Sequence, residues 1–258
     1  MIDCKHSKTP LIVGSTLLKE DGTGNGGNIP YKELTGALMY VPMGTRPDIA
    51  HAVSVLCQFN DCYNKSHWSA AKHVLRYLKG TIDYGLKYVR DNEGLIGYVD
   101  ADCGNCKIDR KSYTGMAFVL AGAAISWGSR KQRTVALSST EAEYLGLTDA
   151  AKEAVYFVQF LKELGLGDFA TVILYNDNIG AAHLAQNLIH HARSKHVDIR
   201  CHFIREALSR GTIQLEYLPT EEMAADMLTK ALSSPKDEGC RESLGIGPIG
   251  DPATYTRN

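Results

Sequence analysis

Apolar positions between residues 31 and 80 recur at helical spacing. Leu34, Leu38 and Val41 fall at i, i+4 and i+7, and Ile49, Val53 and Leu56 line one face of a second segment. Gly44-Thr45-Arg46-Pro47-Asp48 separates the two, with Pro47 suited to a first helical position. A third helix is expected over residues 66–78, stopping at Gly80. Beyond Gly80 the period shortens. Residues 84–89, 95–100, 112–120 and 123–127 read as strands. A long amphipathic helix follows over 140–164, opened by Ser139 or Thr140 as a cap with acids in its first turn. The remaining elements are a strand at 172–175, helices at 179–186 and 197–208, a strand at 213–218 and a last helix at 220–231.

This order describes one α/β domain with a mixed sheet, preceded by a small helical unit. The expected division is a flexible arm over 1–29 ending in a glycine cluster, a helical unit over 30–82, the α/β domain over 83–232 and a loose tail over 233–258.

Composition narrows the class. The 258 residues are 44% hydrophobic and 22% charged, as in ordinary globular proteins. No apolar run approaches the ~18 residues of a membrane span. The first residues lack the apolar stretch of a secretory signal, so a cytoplasmic, intracellular setting is expected and no membrane partner. The seven cysteines are odd in number and scattered, which favours reduced thiols. Cys103 and Cys106 form a CxxC with no second pair nearby, weak grounds for zinc. The net charge of −1 leaves any nucleic-acid contact to local patches.

Four acidic positions lie where an α/β sheet collects its sites, at strand ends and helix termini. Asp100 and Asp102 close an apolar strand and face the same way, so geometry does not choose between them. Glu141 and Glu143 are about 200° apart on their helix, so only one can face the sheet; periodicity leaves both open. Asp177 follows the strand at 172–175, where an Asx turn is the structural alternative. Asp226 sits one turn inside the last expected helix, on the face of Glu222, where a surface acid is the default. Together they give the order D, E, D, D. Clustered carboxylates repel unless cations neutralise them. Mg²⁺ prefers oxygen ligands, and two such ions about 4 Å apart can activate water and stabilise the leaving oxygen of a phosphodiester.

Longer stretches carry a resemblance. Tyr31-Lys-Glu-Leu-Thr-Gly-Ala-Leu-Met-Tyr40, the run from His67 to Gly80, Leu137-Ser-Ser-Thr-Glu-Ala-Glu-Tyr144, Lys195-His-Val-Asp-Ile-Arg200 and Met223-Ala-Ala-Asp-Met-Leu-Thr-Lys230 are similar to the C-terminal part of the Pol polyprotein of copia-type LTR retrotransposons. The half from about residue 94 resembles its ribonuclease H domain. The resemblance implies a ribonuclease H-like fold in which Asp100, Glu143, Asp177 and Asp226 are the catalytic, metal-ligating quartet. It also implies a cofactor, Mg²⁺ in two ions with Mn²⁺ as a substitute, and a substrate, the RNA–DNA hybrid whose RNA strand is cut during reverse transcription. The implied partners are the rest of the polyprotein, with its reverse transcriptase palm and integrase, and the implied setting is a retrotransposon particle. The chain lacks the Y-x-D-D aspartates, so polymerisation is not expected. It departs from the family at Cys103, where an aromatic residue is usual, and at Asn105, where an acid is.

A polyanionic hybrid needs basic groups. Lys72, Arg76 and Lys79 form one stripe on the third helix, beside His73. Arg130 and Lys131 lie in a basic turn before the long helix, and Lys195, Arg200 and Arg205 form a third group. Ser139, Asn176 and Asn178 flank the acids as donors to phosphate or 2′-OH. His190, His191 and His196 are candidates for a proton shuttle. The competing reading is a non-catalytic remnant that binds nucleic acid or supports a polymerase. An integrase, with acid order D, D, E, fits less well.

Overall fold

The computed structural model describes residues 3–15, 17–18, 29–90, 93–104, 106, 108–167, 171–186 and 195–250, and their side chains except at 186 and 195–201. Helices α1 (Tyr31–Gly44), α2 (Ala50–Cys57) and α3 (Lys65–Gly80) bury Tyr31, Leu38, Ile49, Leu56, Phe59, Val74 and Tyr77 between them. The helical spacing seen in the sequence becomes this small core.

The chain then enters a five-stranded sheet. Strand β1 (Tyr84–Leu86) stays outside it. The sheet is built from β2 (Ile96–Ala101), β3 (Tyr113–Leu120), β4 (Ala123–Lys131), β5 (Val172–Asn176) and β6 (Ile213–Tyr217), in the order β4-β3-β2-β5-β6. β2, β3 and β4 form an antiparallel meander, and β5 and β6 run parallel to β2. The parallel connections carry α4 (Ser139–Glu163), then α5 (Ile179–Gln186) and α6 (Lys195–Ser209). This mixed sheet with its helices gives the α/β class expected from the sequence.

Both faces are covered. α4, α5 and α6 pack Leu147, Ala150, Ala151, Ala154, Ala181 and Ile204 against Val99, Met116, Phe118 and Leu174. The other face, with Ala117, Val119 and Ala124, meets Met227, Leu228, Cys240, Leu244 and Ile246. The alternation along β3 divides its side chains between these two cores.

Three expectations are corrected. The tail is not loose over 234–248: α7 (Ser234–Ser243) and β7 (Ile246–Pro248) fold back, and β7 pairs with β1. Cys240, Leu244 and Ile246 supply apolar surface that the second face of the sheet requires. The last expected helix is two short 3-10 turns, Thr220–Glu222 and Ala224–Leu228, because Met223 is extended between them. The described part of the arm is docked: the Ser7 N–H donates to Arg76 O at 3.2 Å, and Leu11 packs on the helical core.

A buried polar cluster sits at the junction of the helical unit with the rest. The Arg46 guanidinium donates to Asp48 at 2.6 Å, to Thr81 O at 2.9 Å and to Thr81 Oγ1 at 2.6 Å, and the Tyr77 hydroxyl donates to Asp48 at 2.6 Å. From the other side, α7 brings its own buried pair, Asp237–Arg241, with Arg241 over the Tyr84 ring. Among the described residues, no helix is long and apolar enough to cross a membrane.

Candidate active site

The register of β2 against β5 pairs Val99 with Asn176, so Asp100 on β2 lies next to Asp177, the residue just past the end of β5. That places two carboxylates side by side at the C-terminal edge, where open α/β sheets form crevices. Glu143 reaches the same edge from the first turns of α4. Oxygens of Asp100, Glu143 and Asp177 all lie within 4.8 Å of one another.

Each of the three is held by one oxygen. Glu143 Oε2 accepts from the Ala101 N–H at 3.1 Å and from the Asn176 amide at 3.0 Å. Asp177 Oδ2 accepts from the Thr220 hydroxyl at 2.6 Å, and Asp100 Oδ2 accepts from the Thr229 hydroxyl. The remaining oxygens, Glu143 Oε1, Asp177 Oδ1 and Asp100 Oδ1, accept no hydrogen bond among the described residues. An oxygen-only set of this kind fits a hard divalent cation.

Asp226 does not join that group. Its Oδ1 pairs with Lys230 at 2.8 Å and its Oδ2 lies 3.5 Å from Lys236. Lys230 also comes within 3.7 Å of Asp100 Oδ2, so one ammonium bridges the fourth acid to the first. The approach depends on Gly115, the partner of Asp100 on β3. A Cβ there would lie 2.8 Å from Ala225 O and from Leu228 Cβ, so a larger residue would push the Asp226 turn off the sheet.

The paired alternatives separate clearly. Asp102 lies past the end of β2 and accepts from the Tyr113 N–H, closing the hairpin. Ser138, ahead of the expected Ser139 or Thr140, caps α4 by accepting from the Glu141 N–H at 3.1 Å, while Glu141 accepts from the Leu137 N–H at 2.7 Å. This reciprocal bonding makes Glu141 a capping acid and leaves Glu143 to the sheet.

Burial pushes the Glu143 carboxyl up to about 9, with Asp100 and Asp177 adding to it against the Asn176 and Ala101 hydrogen bonds. Asp100 rises to about 6, again first through burial; Lys230 and Thr229 oppose this, and Asp226 and Asp177 add to it. Burial would lower the Lys230 ammonium, but Asp100 and Asp226 raise it. The folded chain therefore retains protons at Glu143 that the unfolded chain releases near 4.5. Stability falls with pH wherever the folded state holds more protons. In chelator the thermal midpoint is expected to drop between about pH 5 and about pH 8, and Glu143→Gln to flatten that slope. A wild-type midpoint that rises over this window would show that Glu143 is not held protonated.

The basic residues are differently engaged. Lys72 lies over the Trp68 ring and Arg76 meets His73 Nδ1 at 3.0 Å, both within α3, and Lys79 donates to Cys4 O of the docked arm at 2.8 Å. Arg130 and Lys131 belong to β4 instead of a turn. Arg130 is exposed, and Lys131 pairs with Asp109 at 2.9 Å and donates to Gln58 at 2.6 Å. Ser139 is exposed at the start of α4. Asn178 accepts from the Ala181 N–H at 2.9 Å and so caps α5. Asn176 is buried and turned inward to Glu143 and Val99 O, which removes it as a substrate donor. Arg205 donates to Leu184 O at 3.3 Å. His190, His191 and Asn105, and the side chains of Lys195, His196 and Arg200, lie outside the described residues.

Thr220, Thr229, Lys230, Lys236 and Gly115 are site residues that sequence reasoning did not single out. Lys230 and Thr229 carried a signal, lying four and three residues after Asp226. Thr220, Lys236 and Gly115 carried none, since their contacts cross the fold.

No protein-family model matches the chain. It is 42% identical over 252 residues to the "Retrovirus-related Pol polyprotein from transposon TNT 1-94" of Nicotiana tabacum, a match covering 95% of this chain and 19% of that protein. The chain thus spans about a fifth of that relative's length. It is 50% identical over 130 residues to the "Secreted RxLR effector protein 161" of Plasmopara viticola, covering 50% of this chain and 92% of the effector. Among solved structures it is similar to a ribonuclease H1 isolated from compost, with a TM-score of 0.41 and 16% identity, over 53% of this chain and 92% of that one.

Proposed function

The chain belongs to the family of retrovirus-related Pol polyproteins from transposons, and from that premise we propose that it is a metal-dependent nuclease that hydrolyses the RNA strand of RNA–DNA hybrids. The polyprotein match spans 95% of the chain against 50% for the effector, so the polyproteins set the family. The observation that carries the reading is the convergence of Asp100, Glu143 and Asp177 from two strands and a helix, each with one oxygen held by a donor and one left open.

Asp100, Glu143 and Asp177 would hold Mg²⁺, with Asp226 completing the set once Lys230 leaves it. Bound cations supply the charge that activates water and stabilises the leaving oxygen. The chain's residues orient that chemistry. Asn176 and the Ala101 N–H fix Glu143, Thr220 fixes Asp177, and Thr229 fixes Asp100. In the net reaction a bond forms between water oxygen and phosphorus, one phosphoester bond breaks, and the proton ends on the leaving oxygen.

A labelled hybrid incubated with the chain is expected to lose its RNA strand with Mg²⁺ and to survive in chelator. Hybrid binding without Mg²⁺-dependent cutting would instead identify a non-catalytic binding module.

A further inference from the structure

The turn Thr220–Glu222 has no buried side chain of its own, yet Thr220 fixes the Asp177 carboxylate. Besides its own backbone bonds, Glu222 N–H to Pro219 O and Met223 N–H to Thr220 O, the turn is tied to α7. Lys236 Nζ donates to Thr220 O at 2.5 Å and to Glu221 O at 2.6 Å, and lies 3.5 Å from Asp226 Oδ2. One ammonium therefore spans the supports of two acids that approach the site from different segments. α7 is a firm base for it, since Cys240 and Leu244 are buried, Asp237 pairs with Arg241 at 3.0 Å, and β7 pairs with β1. Lys236 differs from Lys230, which bridges to Asp100; its ion pair is with Asp226.

We propose that Lys236 is a positioning residue for Asp177 and Asp226, acting through the Thr220 turn, so that α7 is part of the nuclease machinery. The mechanism is geometric. The lysine fixes the backbone of the turn, the turn fixes the Thr220 hydroxyl, and the hydroxyl aims Asp177. Thr220 is the group one bond from the carboxylate, and supports at that remove typically alter affinity or rate by about 10–100-fold.

The inference rests on the nuclease reading, and two readouts separate their failures. Lys236→Met keeps the side chain's stem and removes its donors. On an RNA–DNA hybrid with Mg²⁺ it is expected to lower kcat by about 10–100-fold with KM for the hybrid within about twofold. Mn²⁺ affinity, read by calorimetry without substrate, is expected to fall in parallel, with an unchanged thermal midpoint. Lys236→Arg should recover most of both. Thr220→Val should reproduce the loss, and the double variant should lose no more than the worse single one, as for residues acting in one chain of contacts. Wild-type kcat and Mn²⁺ affinity in Lys236→Met would overturn the inference and leave the nuclease reading standing, as would losses that add fully with Thr220→Val. If the wild-type chain cuts no hybrid, the nuclease reading falls, and Mn²⁺ affinity alone decides the role of Lys236.

Discussion

Asp177→Asn is expected to reduce hybrid cleavage by about 10³-fold while leaving the fold intact, on the scale of losing a transition-state charge stabiliser. The asparagine keeps the volume and one carbonyl oxygen, so Thr220 retains a partner. What changes is the charge: the group beside Asp100 and Glu143 is no longer an anion and carries an amide N–H in place of one oxygen. Repulsion among the three acids is relieved, so the thermal midpoint in chelator should rise slightly even as Mg²⁺ binding weakens. Hybrid binding without metal should stay within about twofold of wild type, because the change touches no basic group. Cleavage assays at saturating Mg²⁺ test this, and a variant that cuts like wild type would remove Asp177 from the metal site.

Asp48→Ala is expected to be the most destabilising single change outside the apolar cores, at about 3–5 kcal/mol. Asp48 accepts from both Arg46 and Tyr77 and is buried with them, so its removal strands a guanidinium and a hydroxyl away from water. At roughly 2–4 °C per kcal/mol for a chain of this size, the midpoint should fall by about 10 °C. Replacing both partners, as in Arg46→Met with Asp48→Leu, should recover much of the loss because no charge is left unpaired. Calorimetric unfolding distinguishes the cases: a loss under about 1 kcal/mol for Asp48→Ala would show that water reaches the cluster. The cluster lies between α1, α3 and the segment that carries α7, so the helical unit and the sheet domain should unfold together.

Much of this architecture was legible in residue spacing. Leu38, Val53 and Leu56 marked helices that the structure contains, and the apolar run at 172–175 marked β5, because burial of one face imposes a period on each element. The failures have a common cause. Residues 220–231 read as one helix, but the turn must wrap across Gly115 to present Asp226, and extended Met223 breaks the ladder. The tail read as loose because Gly and Pro outnumber periodic apolar residues, whereas Cys240, Leu244 and Ile246 fill a face that exists only once β1 and β3 are in place. Lys79 read as part of an open basic stripe because the arm whose Cys4 carbonyl it meets is distant in sequence.

The candidate acids divide in the same way. The sequence determined that carboxylates stand at strand ends and a helix start, since these are local features of period and capping. Periodicity could not choose Asp100 over Asp102 or Glu143 over Glu141, because each pair differs only in what lies across the fold; the resemblance named Asp100 and Glu143. Tertiary structure separates the members of each pair. The register of β2 on β5 set Asp100 beside Asp177, the Tyr113 N–H claimed Asp102, and the Ser138 cap claimed Glu141. It also decided that Asp226 rests with Lys230 and Lys236, outside the group of three. Hydrogen bonds and ion pairs between segments far apart in the chain depend on register and approach distance, and neither is written in local periodicity.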